Sequence, residues 1–351
     1  MAITLSSLRD LSGLAFDTII DVRAPAEFAE DHIPGAINLP VLDDAERARV
    51  GTVYKQVNPF TARKLGAALV ARNAAMHVEG ALALMPGGWR PLVYCWRGGQ
   101  RSGSFASILA QIGWRVETVA GGYKSYRALV VAALQEAVAS PVVVLDGNTG
   151  TAKTEVLALL AQRGLQVLDL EGLANHRGSL FGGRGPQPSQ KAFEGALAAA
   201  LGQLDPTRPV VVEAESSKVG DRGVPARLWA AMCSAPRVTL SAGLAERAAY
   251  LCRAYGDVIA DADALDRILR RLQPLHAAEV IEGWRNMAQA GMHEALAADL
   301  MARHYDPRYQ RSRERKGDRG MTLEAADLSG AGLAELALQV EAAVLHLCGK
   351  I

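Results

Sequence analysis

The chain has 351 residues, more than one hydrophobic core usually holds, so we expect two domains and a smaller C-terminal part. Half of the residues are hydrophobic and 21% are charged, which excludes a disordered or fibrous protein. The 38 basic and 37 acidic side chains leave a formal net charge of +1, so any nucleic-acid site must be local.

The ends and the cysteines indicate where the protein works. The N-terminus has no basic region followed by an apolar run, and no 18 consecutive residues are apolar, so we predict neither a signal peptide nor a membrane span. The four cysteines, Cys95, Cys233, Cys252 and Cys348, lie far apart without a Cys-x-x-Cys pair. This spacing argues against disulfides and zinc, and we expect a globular enzyme in the cytoplasm.

The first half of the chain alternates predicted strands and helices. We predict strands at 18–22, 91–94 and 116–119, a long helical stretch at about 61–85, and a helix at about 103–112. This alternation is typical of an α/β layer with a parallel sheet.

The pattern restarts after residue 132, with a domain boundary near 132–140. A helix at 126–139 precedes a break at Ser140-Pro141, and a short apolar strand at 142–145 runs into the sequence GNTGTAKT and another helix. We predict further buried strands at 167–170 and 209–212, with helices dominating after about residue 225.

A cysteine follows the predicted strand 91–94 in the sequence YCWRGGQRS. Gly98 and Gly99 let the loop curl so that its N–H groups converge, and the next helix adds its positive N-terminal end. Arg97 and Arg101 add charge, so we expect Cys95 to be a thiolate nucleophile, with Arg97, Gly98, Gly99, Arg101 and Ser102 binding a tetrahedral anion. A buried structural cysteine in a basic turn is the alternative, which two arginines and two glycines within six residues disfavour.

This loop, with DVRAPAEFAEDHIPGAINLP upstream, resembles the rhodanese (sulfurtransferase) domain. The spacing Cys-x5-Arg-Ser is one residue longer than the common sulfurtransferase loop and equals that of cysteine phosphatases. A phosphatase is therefore a competing interpretation, although Tyr94 stands where many cysteine phosphatases carry His, and no acid loop is visible.

A second site follows the strand predicted at 142–145. The sequence DGNTGTAKT lies between that strand and a helix, the context of a phosphate-binding loop. We expect Gly147, Asn148, Gly150, Lys153 and Thr154 to bind a diphosphate or triphosphate, with Thr154 able to hold Mg²⁺. Ala152 replaces the usual glycine, and a positive φ there would be disfavoured, so the loop could be adapted away from ordinary nucleotide hydrolysis.

Three other stretches carry weaker signals. The strand ending in Glu213 offers a carboxylate near the phosphates, and the basic, glycine-rich stretch at 170–185 could close over an anion, although ordinary exposed loops are the alternative for both. The run 303–320 has seven Lys or Arg against three acids, with Tyr305 and Tyr309 between them, which favours RNA over a merely solvated face. Its candidate RNA-binding residues are Arg303, Arg308, Arg311, Arg313, Arg315 and Lys316.

Together these motifs resemble the tRNA 2-selenouridine synthases over nearly the whole chain. The specific segments include VYKQVNPFTARKLGAALVARN, YCWRGGQRSGS, GNTGTAKTEVL, LEGLANHRGSLFGG and YDPRYQRS; Gln100 and Ala152 depart from the usual residues. The resemblance implies a rhodanese-like parallel-sheet domain (1–135), a P-loop NTPase-like α/β domain with a basic C-terminal segment (136–320), and a C-terminal helical segment (321–351).

The resemblance also implies a reaction. The family acts on wobble 2-thiouridine in tRNAs for Lys, Glu and Gln, transferring a geranyl group from geranyl diphosphate to the sulfur and then replacing it with selenium from selenophosphate. On this basis we expect Cys95 to act on selenophosphate, or to carry selenium as a perselenide, and the phosphate-binding loop to hold the geranyl donor. We expect no tightly bound cofactor, no membrane, and a selenophosphate-supplying enzyme as a possible partner.

Two other classes of function stay open. One is a sulfurtransferase or cysteine phosphatase coupled to a P-loop ATPase, which predicts ATP turnover or phosphate release without RNA. The other is a non-catalytic module that binds RNA or nucleotides, which predicts tRNA binding independent of Cys95.

Overall fold

A computed structural model describes residues 2–13, 15–316 and 320–349, without the side chains of Ser12 and residues 312–316. Its chain divides into two compact units, each with its own sheet. The first unit contains residues 1–136 and 188–203, and the second contains 137–187 and 204–351.

The strands are short, as is usual for parallel sheets covered by helices. Within the described residues they are β1 (Ala2–Ile3), β2 (Thr18–Asp21), β3 (Ala36–Asn38), β4 (Pro91–Tyr94), β5 (Glu117–Val119), β6 (Val142–Gly147), β7 (Gln166–Leu168), β8 (Val210–Glu213), β9 (Lys218–Val219), β10 (Arg222–Gly223), β11 (Arg237–Ala242) and β12 (Gly320–Ala325).

The helices make up most of the rest. They are α1 (Pro25–Glu30), α2 (Asp44–Gln56), α3 (Pro59–Glu79), α4 (Gln100–Ile112), α5 (Gly122–Gln135), α6 (Lys153–Gln162), α7 (Leu170–Ala174), α8 (Gln190–Gly202), α9 (Ala226–Ser234), α10 (Leu244–Ala254), α11 (Gly256–Ala260), α12 (Ala262–Arg270), α13 (Ala278–Gln289), α14 (His293–Leu300), α15 (Asp306–Lys316) and α16 (Gly330–Cys348). A π-helical turn at Met301–Tyr305 joins α14 to α15.

The first unit is built on a five-stranded parallel sheet in the order β1-β5-β4-β2-β3. Its central strand β4 is buried along its whole length, because Pro91-Leu92-Val93-Tyr94 has helices on both faces. The carboxyl end of β4 therefore lies at the edge of the sheet where parallel α/β sheets bind their ligands. The predicted strand at 91–94 is confirmed, whereas α4 begins at Gln100, three residues before the predicted start.

Helix α8 belongs to the first unit although it lies far along the chain. Phe193 and Leu197 are fully buried, and Arg127 of α5 forms an ion pair with Glu194. The predicted boundaries, 1–135 and 136–320, differ from the structural units here, because a helix of ordinary amphipathic composition does not indicate which sheet it will cover.

The second unit has a five-stranded parallel sheet in the order β12-β11-β6-β8-β7. The α/β class and the two successive parallel-sheet domains are thus confirmed. Leu145 of β6 pairs in register with Glu213 of β8, so the segment after β6 and the carboxylate ending β8 lie side by side.

The C-terminal part of the second unit is not purely helical. Strands β11 and β12 complete one side of the sheet, and the predicted C-terminal segment 321–351 begins within β12. Helix α16 is long and apolar enough, by length and composition, to cross a membrane. Its residues Leu333, Leu336 and Val340 nevertheless pack in the core of the second unit, so we describe it as a core helix.

Candidate active sites

Cys95 is the first residue after the buried strand β4 and is 4% exposed. The following residues curl back toward the first turn of α5. Tyr123 donates its N–H to the Cys95 carbonyl at 2.8 Å, and Lys124 donates to the Trp96 carbonyl at 3.0 Å. The loop is therefore held by backbone hydrogen bonds from a second element, independently of any bound anion.

Gly98 is essential to that packing. Its φ is +64°, and a Cβ at this position would lie 2.5 Å from the Val119 carbonyl oxygen. Both the left-handed backbone and the close approach require glycine. Gly98 therefore shapes the loop through its backbone.

Two donors meet the Cys95 sulfur. The Gly99 N–H donates to Sγ at 3.3 Å, and the Ser102 hydroxyl donates to it at 3.2 Å. Burial acts to raise the pKa of the Cys95 thiol, but these hydrogen bonds and the charge of Arg101 together hold that pKa below its usual value. The arrangement favours a thiolate, the nucleophilic form of cysteine.

The two arginines predicted to bind the anion have different environments. Arg101 donates to a carboxylate oxygen of Glu27 at 2.8 Å, and the same oxygen accepts from Arg47 at 2.9 Å. Arg101 thus approaches Cys95 as part of an ion-pair network, which sequence reasoning missed because Glu27 lies 74 positions away in the chain. Arg97 is exposed and has no ion-pair partner within the described residues.

Residues of the upstream DVR and HIPGA segments contact the elements that carry this site. Arg23 forms a buried bidentate ion pair with Asp21, and its guanidinium lies 4.0 Å from the ring centroid of Tyr123. The Tyr94 hydroxyl accepts the Ile33 N–H at 3.1 Å. The DVR and HIPGA segments therefore hold the strand ends around the cysteine loop.

In the second unit, the loop after β6 has the expected strand–loop–helix geometry. Gly150 has a φ of +86°, and a Cβ there would lie 2.9 Å from the Arg247 carbonyl oxygen. Ala152 also adopts the left-handed conformation, with φ of 59°, although an alanine pays about 1–2 kcal/mol for it. We expected a positive φ to be disfavoured at Ala152, and the loop nonetheless adopts that conformation.

The predicted phosphate ligands surround the start of α6. Lys153 Nζ donates to the Gly147 carbonyl at 2.8 Å, and the Thr154 hydroxyl donates to Glu171 at 3.1 Å. The Asn148 side chain instead donates to Asp306 at 2.9 Å.

Three glutamates form a cluster in this region: Glu171 and Glu215 interact electrostatically with Lys153, and Glu213 accepts the Glu171 N–H at 2.7 Å. Burial, followed by the repulsion of Glu171, raises the pKa of Glu215 to about 8, and burial raises the pKa values of Glu171 and Glu213 as well. Burial acts to lower the pKa of Lys153, but Tyr309, Glu171, Glu215 and Asp146 raise it overall. Sequence reasoning assigned a carboxylate near the phosphates only to Glu213, because Glu171 lies in the short helix α7 and Glu215 in the loop after β8, where no pattern marks them.

Lys153, Glu171 and Glu215 line a cavity of about 870 Å³ around the loop. Arg177, Arg184 and Arg308 add positive charge to its wall, and Nη1 of Arg177 is buried without a hydrogen-bond partner in the described structure. Arg177 also donates to Asp257 at 3.1 Å. An unsatisfied guanidinium N–H beside a phosphate-binding loop is well placed for an additional anion contact.

A second, apolar cavity adjoins the first. The two cavities share the wall residues Thr149, Ser179, Leu251, Tyr255 and Tyr305. The rest of the apolar lining comes mainly from α10 to α14 and the loop after α7, and includes Phe181, Val258, Leu265, Leu296, Leu300 and Met301.

Part of the basic run predicted to bind RNA lines the polar cavity around the phosphate-binding loop. Arg303 pairs with Asp299 at 2.9 Å, Arg308 approaches His304 at 3.2 Å, and the Tyr309 ring lies 5.8 Å from Lys153 Nζ. Arg311 is exposed. The side chains of Arg313, Arg315 and Lys316 lie outside the described structure, so their part of the prediction stays a prediction.

Comparisons with known proteins match both units. The family described as "tRNA 2-selenouridine synthase AAA domain" matches residues 140–265, and the rhodanese-like domain family matches residues 4–129. A tRNA 2-selenouridine synthase of Chromohalobacter salexigens is 38% identical over 83% of this chain and 87% of its own length. The same-named protein of Pseudomonas syringae pv. tomato is 36% identical over 86% of this chain and 90% of its own.

Proposed function

The chain belongs to the tRNA 2-selenouridine synthase family and is an enzyme of that kind, and from this membership we propose how its two sites divide the reaction. The cavity beside the phosphate-binding loop activates a geranyl donor. The Cys95 loop handles selenophosphate. The substrate is a tRNA carrying 2-thiouridine, with the isoacceptors for Lys, Glu and Gln and the cytoplasm as the proposed setting.

In the first step the thiocarbonyl sulfur of 2-thiouridine attacks C1 of geranyl diphosphate. A C–S bond forms, the C–O bond to diphosphate breaks, and the base loses its N3 proton. Negative charge grows on the departing diphosphate, and the loop N–H groups, Lys153 and Arg177 are placed to stabilise it. Alkylation matters because a geranyl thiolate leaves C2 more readily than a thiocarbonyl sulfur does.

One observation carries the choice of a prenyl donor over a nucleotide. The polar cavity of the phosphate-binding loop shares five wall residues with an adjoining apolar cavity lined by Leu, Val, Met and Phe side chains. A diphosphate with a short hydrocarbon tail matches this sequence of surfaces, because burying the tail there removes apolar area from water. A purine and ribose would leave their polar edges without partners on such a wall.

The residues present also fit a magnesium ion at the diphosphate. Thr154 contacts Glu171, and the Oε2 atom of Glu213 is buried without a partner in the described structure. Thr154 and Glu171, which line the cavity, would hold Mg²⁺ together with phosphate and water oxygens, and Glu213 contacts the Glu171 backbone. When bound, the ion would neutralise charge on the leaving diphosphate.

In the second step selenium replaces the S-geranyl group. A C–Se bond forms at C2, the C–S bond breaks to release geranylthiol, and water takes the phosphoryl group of selenophosphate to give phosphate. The Cys95 thiolate attacks the phosphorus of selenophosphate, so an S–P bond forms and the P–Se bond breaks to release the hydrogen selenide that attacks C2. Water then hydrolyses the S–P bond and restores the thiolate, with the Gly99 N–H and the Ser102 hydroxyl as anion donors. The nearby Arg101 adds positive charge.

The test uses the purified protein with 2-thiouridine-containing tRNA. Geranyl diphosphate and selenophosphate are added singly and together, with ATP in a parallel series, and digested nucleosides are analysed by mass spectrometry. We expect geranylated nucleoside with the first donor alone and 2-selenouridine with both. Unchanged tRNA in every reaction, from protein shown to be folded, would contradict the proposal and favour a sulfurtransferase or phosphatase coupled to an ATPase.

A further inference from the structure

Helices α2 and α3 of the first unit form an antiparallel hairpin. Glu46 near the start of α2 pairs with Arg72 near the end of α3, and a Cβ on Gly66 would contact Val50 at 3.7 Å. The two helices meet at Val57 and Asn58, so residues 54–64 form the tip of the hairpin.

The hairpin is basic toward its tip, while its acidic residues Asp44, Glu46 and Glu79 lie at its base. Residues 47–78 contain six Lys or Arg and no Asp or Glu, while the whole chain has a net charge of +1. Arg47 and Arg72 are paired with Glu27 and Glu46. The other four, Arg49, Lys55, Arg63 and Lys64, are exposed and have no ion-pair partner within the described residues.

The tip also exposes large apolar side chains among these cations. Tyr54 is 56% exposed, Val57 65% and Phe60 67%. Lys64 Nζ lies 5.2 Å from the ring centroid of Phe60. Exposed aromatic rings interleaved with unpaired cations are the features with which proteins bind unpaired RNA, because bases stack on the rings while cations contact the phosphates.

The base of the hairpin is connected to the cysteine loop. Arg47 of α2 and Arg101 of α4 share one carboxylate oxygen of Glu27, and Leu69 and Val70 of α3 pack in the same core cluster as Cys95. A ligand held at the tip is therefore bound by the same rigid unit that carries the nucleophile.

We propose that the hairpin tip, with Tyr54, Lys55, Phe60, Arg63 and Lys64, is a docking surface for an unpaired loop of the tRNA. This inference rests on the proposed function in that it takes tRNA as the substrate. It adds a binding surface distinct from the basic run after residue 303, of which Arg303 and Arg308 already have partners within the protein.

The test measures binding of a fluorescent tRNA to the full chain by anisotropy at several salt concentrations. The variant K55Q/R63Q/K64Q should raise Kd at least about tenfold at physiological salt and lower the slope of log Kd against log salt by about 2, since each lost phosphate contact contributes about 0.7–0.9. The variant Y54S/F60S should raise Kd about fivefold or more with the slope unchanged, because stacking releases no counterions.

The matched control is R115Q/R227Q/R271Q, which removes the same charge from exposed arginines elsewhere. It should change Kd by less than threefold. An unchanged melting temperature and an unchanged pH profile of Cys95 alkylation establish that the hairpin variants are folded.

The outcomes separate this inference from the proposed function. Unsubstituted protein that neither binds nor modifies tRNA contradicts the proposed function. If the unsubstituted protein binds tRNA and the hairpin variants bind it equally well, only the proposed docking surface is overturned. The hairpin tip would then be a surface for a protein partner. A loss as large in the control as in the charge variant would also overturn it, because the effect would then be one of net charge.

Discussion

The reactivity of Cys95 depends on a few contacts that oppose its burial. The sulfur is almost fully enclosed, which favours the neutral thiol, yet the Ser102 hydroxyl and the Gly99 N–H donate to it. The nucleophile, the two glycines and the arginines could be predicted from the sequence because they are adjacent in it. The sharing of Glu27 between Arg47 and Arg101 could not, since it depends on how distant helices pack.

Replacing Ser102 with Ala should make Cys95 less reactive at neutral pH. A hydrogen bond to a charged group is worth about 1.5 kcal/mol, so we expect the thiolate fraction to fall about tenfold. Iodoacetamide alkylation of the peptide that contains Cys95, followed by mass spectrometry from pH 5 to 10, would show the midpoint moving upward. Ser107→Ala is the control, because the Ser107 hydroxyl donates only to the Gly103 carbonyl on the same helix. Identical profiles for both variants would contradict this account of the thiolate.

The carboxyl cluster in the second unit predicts a pH-dependent stability. The pKa of Glu215 is raised from 4.5 to about 8, so between these values the unfolded chain loses a proton that the folded chain keeps. The contribution of protonated Glu215 to the free energy of unfolding is therefore fully present below about pH 4.5. It is lost as the pH rises to about 8.

Replacing Glu215 with Gln removes the titrating carboxyl group and should weaken the pH dependence of the free energy of unfolding. The unsubstituted protein should lose up to about 2 kcal/mol more than the variant between pH 6 and pH 8, since one proton contributes about 1.4 kcal/mol per pH unit. Urea unfolding at the two pH values measures the difference. Equal losses would show that Glu215 is not held protonated in the folded protein.

At the scale of elements, the short buried strands and the loops that follow them were the predictable features. Four consecutive apolar residues bounded by a proline or a turn predicted β4 and β6 almost to the residue. Strands β11 and β12 were missed because RVTLSA and GMTLEA are only partly buried and lie among strongly helical sequence. The assignment of α8 to the first unit depends on tertiary packing that no local pattern encodes.

The packing of α8 can be tested with two glycines of the same helix. A Cβ on Gly195 would lie 2.7 Å from the hydroxyl of the buried Tyr126, whereas one on Gly202 would meet no atom within 4 Å. Gly195→Ala should therefore destabilise the protein by about 1 kcal/mol net, as overpacking of about 1–3 kcal/mol exceeds the helix-propensity gain of about 1 kcal/mol. Gly202→Ala should be neutral or stabilising. Equal melting temperatures for the two variants would mean that α8 does not pack on α5 as described.

At the scale of the whole molecule, the chain contains two candidate anion sites, one in each folded unit. Their loops could be predicted from the sequence, because each is a contiguous segment after a strand. The apolar cavity beside the phosphate-binding loop could not, since its lining comes from dispersed residues of several helices.

The division of labour predicts a selective defect for the phosphate-binding loop. Lys153→Ala removes the buried cation that faces the diphosphate, and loss of a charged contact should weaken geranyl diphosphate binding about tenfold or more, as measured by calorimetry. The exposed Lys218 of β9 provides the control variant Lys218→Ala, which should bind the donor normally. Equal affinities for both variants would place the donor elsewhere.

The central claim is that alkylation and selenation take place at different sites, and Cys95→Ser tests it most directly. The variant is incubated with 2-thiouridine-containing tRNA, geranyl diphosphate and selenophosphate, and the nucleosides are analysed by mass spectrometry. The account predicts that geranylated 2-thiouridine accumulates at the rate of the unsubstituted enzyme while no 2-selenouridine forms. Loss of both products in a folded variant, or normal formation of 2-selenouridine, would contradict it.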